Sequence, residues 1–176
     1  RWDSKVCTTE IGLWAQCLLR AARATGADAF LDMARHAMAA YLDHAFDPVS
    51  RRYYGQVAIA DGTPVNPEGP GYWPRFHTDP WNTDQWPTHD YPMSAAEACL
   101  SLARLTDDAR FRDAIPRWAA HAMETRPSRT GRPAYADSYG RVLHFLVRAS
   151  RECEDSRYRT DAVQLAQEAV DALWEN

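Results

Sequence analysis

Three short stretches of this sequence echo one another. Ala29-Phe30-Leu31-Asp32-Met33-Ala34 is matched by Ala109-Arg110-Phe111-Arg112-Asp113-Ala114 and by Arg157-Tyr158-Arg159-Thr160-Asp161-Ala162. Each follows an Arg-containing apolar stretch and a polar turn. Around them, apolar residues recur at helical spacing in six segments. The first carries Ile11, Trp14, Leu18, Leu19 and Ala22, and the second Phe30, Met33, Ala37, Met38 and Tyr41. The third holds Met93, Ala96, Cys99, Leu100 and Ala103, and the fourth Phe111, Ile115, Trp118, Ala122 and Met123. Val142, Phe145, Leu146 and Ala149 form the fifth; Tyr158, Ala162, Leu165, Ala169 and Leu173 form the sixth. The six pair into three antiparallel helical hairpins. An all-α fold follows, in one domain over residues 1–176, since this length suits a single core.

The spacing is informative. Phe111 and Tyr158 are 47 residues apart, one hairpin unit, whereas Phe30 and Phe111 are 81 apart. About 34 extra residues therefore interrupt the array between the first two hairpins. A 47-residue unit is too long for a tetratricopeptide and lies at the upper end of HEAT-like repeats. Pro116 is expected to kink the fourth helix or mark its start.

The interruption spans 47–92 and has a different composition. Arg52 to Val65 alternates before an Asp61-Gly62 turn and reads as a short β-hairpin. From Pro64 to Pro92 the chain carries seven of its eleven prolines, at 64, 67, 70, 74, 80, 87 and 92. Proline fixes φ and removes an N–H, so a long loop is expected there, not a further helix or strand. Loops of this length inside a compact domain are usually functional or disordered. The aromatic content argues for function, because the chain holds twenty aromatic residues, seven of them Trp.

Residues 72–91 read YWPRFHTDPWNTDQWPTHDY. Aromatic faces with interleaved carboxylates suit a sugar: rings stack on pyranose faces while polar groups bond the hydroxyls. Tyr72, Trp73, Arg75, His77, Trp81, Trp86 and Tyr91 are the candidate contacts. Asp79, Asp84 and Asp90 are the candidate acid and base, with His89 as a partner able to tune or replace them. Inverting glycosidases hold two such groups about 6.5–9.5 Å apart, retaining ones about 5–5.5 Å. The plainer reading makes the tryptophans a satellite core and the aspartates turn residues. His77, Asp79 and His89 also have the ligand types of a non-haem iron triad, which normally sits on a β-scaffold.

A second candidate region is Tyr135-Ala136-Asp137 at the start of the fifth helical segment, after a loop rich in arginine. Arg126, Arg129, Arg132 and Arg141 could meet a substrate carboxylate; Asp137 reads equally well as a helix cap and the arginines as a solvated face. Glu10 opens the first helix in the same way. The helical histidines 36, 44, 121 and 144 read as packing or surface residues. Asp107-Asp108-Ala109-Arg110-Phe111 fails the D-D-x-x-D pattern, and no nucleotide-loop, zincin or serine-hydrolase motif occurs.

Composition excludes several classes. Hydrophobic residues at 45% and charged ones at 25% belong to a folded chain. A net charge of −4 without a basic stripe argues against a nucleic-acid partner. No apolar run approaches the roughly 20 residues that span a bilayer. Cys7, Cys17, Cys99 and Cys153 form no C-x-x-C pair and read as structural thiols, with Cys17 and Cys99 on apolar helix faces. The chain opens on Arg1 without Met and its last helix reaches Trp174 without a capping Gly, so a processed protein or fragment is expected and its compartment is not legible.

Taken with Asp84-Gln85-Trp86-Pro87-Thr88-His89-Asp90-Tyr91, the hairpins resemble the six-hairpin α/α-toroid carbohydrate-active enzymes. That group spans glycoside hydrolases, polysaccharide lyases and sugar epimerases. The resemblance implies an active-site cleft at the N-terminal ends of the inner helices, Asp84 and Asp90 as acid and base, and Trp73, Trp81 and Trp86 as stacking faces; the residues themselves point to no cofactor. A glycoside hydrolase acting on an oligo- or polysaccharide is the first expectation. A lyase or epimerase using His77, His89 or Tyr91 with Arg75 is the second, and a non-catalytic helical-repeat scaffold the third. This chain has three hairpins where the family has six, so its expected partner is the other half of the toroid or a homo-oligomer.

Overall fold

The structure, a computed structural model, describes residues 4–65, 81, 93–132 and 135–174. In chain order the elements are β1 (Lys5–Cys7), α1 (Thr8–Thr25), α2 (Asp28–Ala45), β2 (Phe46–Asp47), β3 (Arg52–Tyr53) and β4 (Gln56–Ala58). There follow α3 (Ser94–Leu105), α4 (Ala109–Glu124), α5 (Pro127–Thr130), α6 (Ala136–Glu152) and α7 (Ser156–Trp174). The chain is all-α with short β pairings, as its periodicity requires.

Each expected helix forms, and two- or three-residue turns fold it back on its partner. Gly26 ends α1 in the left-handed region (φ 70°), where its N–H returns to Ala22 O. The turns into α4 and α7 share one device. Asp108 accepts from Arg110 N at 3.1 Å and Asp155 from Arg157 N at 2.9 Å, and each carboxylate also holds its own arginine's guanidinium. These residues lie 47 positions apart in sequence. Both carboxylates are held below their ordinary pKa, first by the arginine side chains.

α1 packs on α2, α3 on α4 and α6 on α7, while α1, α3 and α6 stand side by side, with α2 and α4 also packed together. The offsets of 81 and 47 relate equivalent positions throughout. Leu18, Cys99 and Leu146 are all buried, as are Ala34, Ile115 and Ala162, and then Tyr41, Ala122 and Ala169. Contacts between neighbouring hairpins obey the same offset: Glu97 meets His144, and Ser101 meets Arg148. At Gly12 α1 and α3 come so close that an added Cβ would stand 2.3 Å from Ala95 N of α3.

Four details differ from the sequence reading. The 52–65 stretch is not an isolated hairpin. Val57 does face Pro64 across the Asp61-Gly62 turn, but β4 pairs along its other edge with β1, placing Val6 opposite Val57. β3 folds back on β2 and docks on α4, where Tyr53 stacks on Trp118 at 4.8 Å and Arg117 sits 4.2 Å over Phe46. Of the two expectations for Pro116, the start of α4 is not met, since the proline lies inside the helix. Cys17 is exposed on α1, unlike Cys99, whose thiol is pushed up to about 12 by complete burial; none of the four cysteines is bridged. Among the described residues no helix is long and apolar enough to cross a membrane.

Candidate functional site

The bundle has two unlike ends. At one, only the tight turns at Gly26, Thr106 and Cys153 join helices among the described residues. At the other, α1, α3 and α6 begin, α2 and α4 finish, and every described β element and α5 is found. Three helix starts at this second end present the positive ends of their dipoles, and the first N–H of α1, that of Thr8, bonds Gly55 O at 3.0 Å.

Side chains fasten this end. Thr8, fully buried at the start of α1, bonds Tyr41 Oη at 2.7 Å through its hydroxyl, and Tyr41 in turn donates to Tyr54 O at 2.8 Å. Trp81 is only 2% exposed. Its indole N–H donates to Ala122 O near the end of α4 at 2.8 Å, and its ring meets Tyr139 edge-on at 5.1 Å in the first turn of α6. Trp81 was expected as a sugar-stacking face; it is a packing anchor, because the N–H is satisfied internally and the ring is enclosed.

Between the three helix starts lies a small cavity of about 110 Å³ lined by Leu13, Gln16, Met93, Ser94, Glu97 and Arg141. Leu13, Ser94 and Arg141 are equivalent positions of the three hairpins. Gln16 Nε2 donates to Ser94 O at 2.8 Å, tying α1 to the start of α3. Beside the cavity, Glu97 Oε1 receives His144 Nδ1 at 2.5 Å and its other oxygen lies 3.6 Å from Arg148 Nη1. Arg148 also donates to Ser101 Oγ at 3.1 Å and to Glu152 Oε1 at 2.9 Å. A carboxylate flanked by an imidazole and a guanidinium is equipped to orient a proton-transfer group or to hold a polar ligand. The sequence does not single out Glu97, and it reads His144 as a packing or surface residue, which its 63% exposed side chain matches. The available signal was the 47-residue separation of Glu97 and His144, which is the repeat length itself.

The second candidate region resolves into ion pairs. Asp137 lies in the first turn of α6, but Tyr135, half exposed, is the capping residue. The Asp137 carboxylate instead pairs with Arg141, one helical turn on. Arg126 donates through Nε to Glu168 of α7 at 2.9 Å, with a further bond to Met123 O. These two arginines are therefore engaged within the chain. Tyr72, Trp73, Arg75, His77, Asp79, Asp84, Trp86, His89, Asp90 and Tyr91 lie outside the described residues. Among the described residues no group of three side chains is disposed to hold a metal ion.

A larger apolar cavity of about 1050 Å³ opens on the outer side of α1 and α2, bounded by the 57–62 turn. Gly62 (φ 73°) lies against the His44 ring here, so close that any side chain would collide with it. No protein-family model, curated protein or solved structure matches this chain.

Proposed function

We propose that this chain is a carbohydrate-active enzyme of the helical-hairpin kind, a glycoside hydrolase in the first instance, whose site lies at the end where α1, α3 and α6 begin. The observation that carries this reading is the asymmetry of the bundle. Residues 82–92, which contain Asp84, His89 and Asp90, join Trp81 to Met93, and both flanking residues are buried at that end. The described residues on either side of the carboxylates are thereby fixed at the end that carries Glu97, His144 and Arg141. Loops fixed by a rigid scaffold are where binding and catalytic groups concentrate. In this mechanism one of Asp84 and Asp90 protonates the glycosidic oxygen and the other activates water. Trp73 and Trp86 stack on the sugar, and Glu97 and His144 bond hydroxyls at the cleft floor.

A second reading, elimination or epimerisation, is favoured by the Glu97–His144 pair. An exposed imidazole oriented by a carboxylate suits abstraction of a proton from a sugar carbon. One experiment separates the two. Neutral and uronic-acid oligosaccharides are incubated with the protein and the products analysed for reducing ends and for unsaturated uronates. Hydrolysis abolished in Asp84→Asn or Asp90→Asn supports the first reading. Unsaturated or epimerised product lost in His144→Gln supports the second. Absence of any turnover or binding across the panel sinks both.

A further inference from the structure

The repeat register provides an internal control on surface exposure. Positions 14, 95 and 142 are equivalent, yet Trp14 is 45% exposed while Ala95 and Val142 are fully buried. Cys17 is likewise exposed where Ala98 and Phe145 are buried, and Ala37 is only half-buried where Trp118 and Leu165 are enclosed. These three belong to the large cavity on α1 and α2. They form the face that a preceding hairpin covers in the second and third units, and among the described residues no hairpin covers it in the first.

The opposite end shows the complementary pattern. Val170 is 56% exposed where Leu42 and Met123 are buried, and Val147 is 39% exposed where Leu100 is 1%. Gly140 is equivalent to Gly12. At Gly12 the start of α3 approaches so closely that no Cβ fits, while at Gly140 nothing lies within 4 Å. The third hairpin thus keeps the residues that receive a following hairpin, including the glycine that permits close approach. The two exposed faces are the two halves of an interface already formed twice within the chain.

We propose that these faces are complementary docking surfaces and that the occupant of each is the opposite face of a second copy, joined in the register that relates α1 to α3. In that register the Leu13–Trp14 segment of one copy lies on Gly140 of the other, as Ser94–Ala95 lies on Gly12. A head-to-tail contact joins unlike patches and closes into a ring where the rotation between copies allows it; the assembly proposed is the ring of two. This inference rests on the repeat alone and stands or falls independently of the sugar reading.

The test is sedimentation velocity on the 176-residue chain, with Trp14→Glu disabling the leading face and Val170→Glu the trailing one. Both positions are exposed, so the variants keep the wild-type circular dichroism. Wild type is expected to form dimers and each variant alone to remain monomeric. An equimolar mixture of the two restores dimers, because one intact face of each kind remains. Cys17 alkylation in the wild type, slowed as protein concentration rises, reads the same event without substitution. A wild type that stays monomeric with concentration-independent alkylation overturns the proposal and leaves the faces to hairpins of another sequence. Dimers that persist in either variant, or a mixture that fails to associate, overturn it as well.

Discussion

Trp81 donates its indole N–H to the carbonyl oxygen of Ala122, 41 residues away in sequence, at 2.8 Å. The bond ties the chain between β4 and α3 to the end of α4. Trp81→Phe keeps most of the ring and is expected to cost about 1 kcal/mol through the lost bond. Trp81→Ala leaves a cavity against Tyr139 and is expected to cost about 3–5 kcal/mol. Urea midpoints of the two variants check the ratio. Equal losses would contradict a packing role for the ring.

Gly12 and Gly140 occupy equivalent positions and should respond oppositely to alanine. Gly12→Ala drives a Cβ into the backbone of α3 and is expected to destabilise by about 1–3 kcal/mol or more, the range for overpacking. Gly140→Ala meets nothing and is expected to stabilise the monomer by roughly 0.5–1 kcal/mol through helix propensity. Thermal unfolding at low protein concentration measures both.

The Asp108 and Asp155 caps predict an acid transition. Both carboxylates have folded-state pKa values lowered below 3.8 by their arginines and by backbone N–H groups. The stability they contribute is therefore complete above the unfolded value and is lost as pH falls through the folded one. Unfolding free energy should be flat above about pH 5 and fall below about pH 4. Asp108→Ala is expected to cost about 1 kcal/mol at neutral pH and progressively less in acid. A constant penalty down to pH 2 would refute the ionised cap.

Thiol labelling should discriminate among the cysteines. Cys17 is exposed and reacts first in the monomer; Cys153 is exposed but follows, since partial burial and the neighbouring Glu152 and Asp155 raise its pKa. Cys99, fully buried with its thiol near 12, reacts only on unfolding. Mass spectrometry of a timed alkylation gives the order.

The helices were legible because each buries an apolar stripe, and the repeat was legible because Phe30, Phe111 and Tyr158 mark the same corner, buried at Phe111 and Tyr158 and half-buried at Phe30. The β1–β4 pairing was not. Three-residue strands carry too few alternations to register, and Lys5-Val6-Cys7 reads as nothing beside a helix start. The short α5 was hidden in a run of arginines. Trp81 was misassigned because an aromatic in a proline-rich loop looks the same in sequence whether it faces a ligand or the core. Glu97 was overlooked for the converse reason: one carboxylate on an amphipathic helix carries no mark of the imidazole it will meet on another. The ten loop candidates from Tyr72 to Tyr91 other than Trp81 lie outside the described residues, so the loop chemistry rests on sequence and on where its ends are fixed.

The unlike ends of the bundle also set an order of assembly. Each hairpin closes over a turn of two or three residues, which costs little loop entropy, whereas Thr8 and Gly55 must find each other across 47 residues. The helix pairs are the fast, local contacts and the β1–β4 staple is the late one. The end that gathers the insertions is then the last part of the molecule to be fastened, and the hairpin array can tolerate variation there without losing the frame on which it folds.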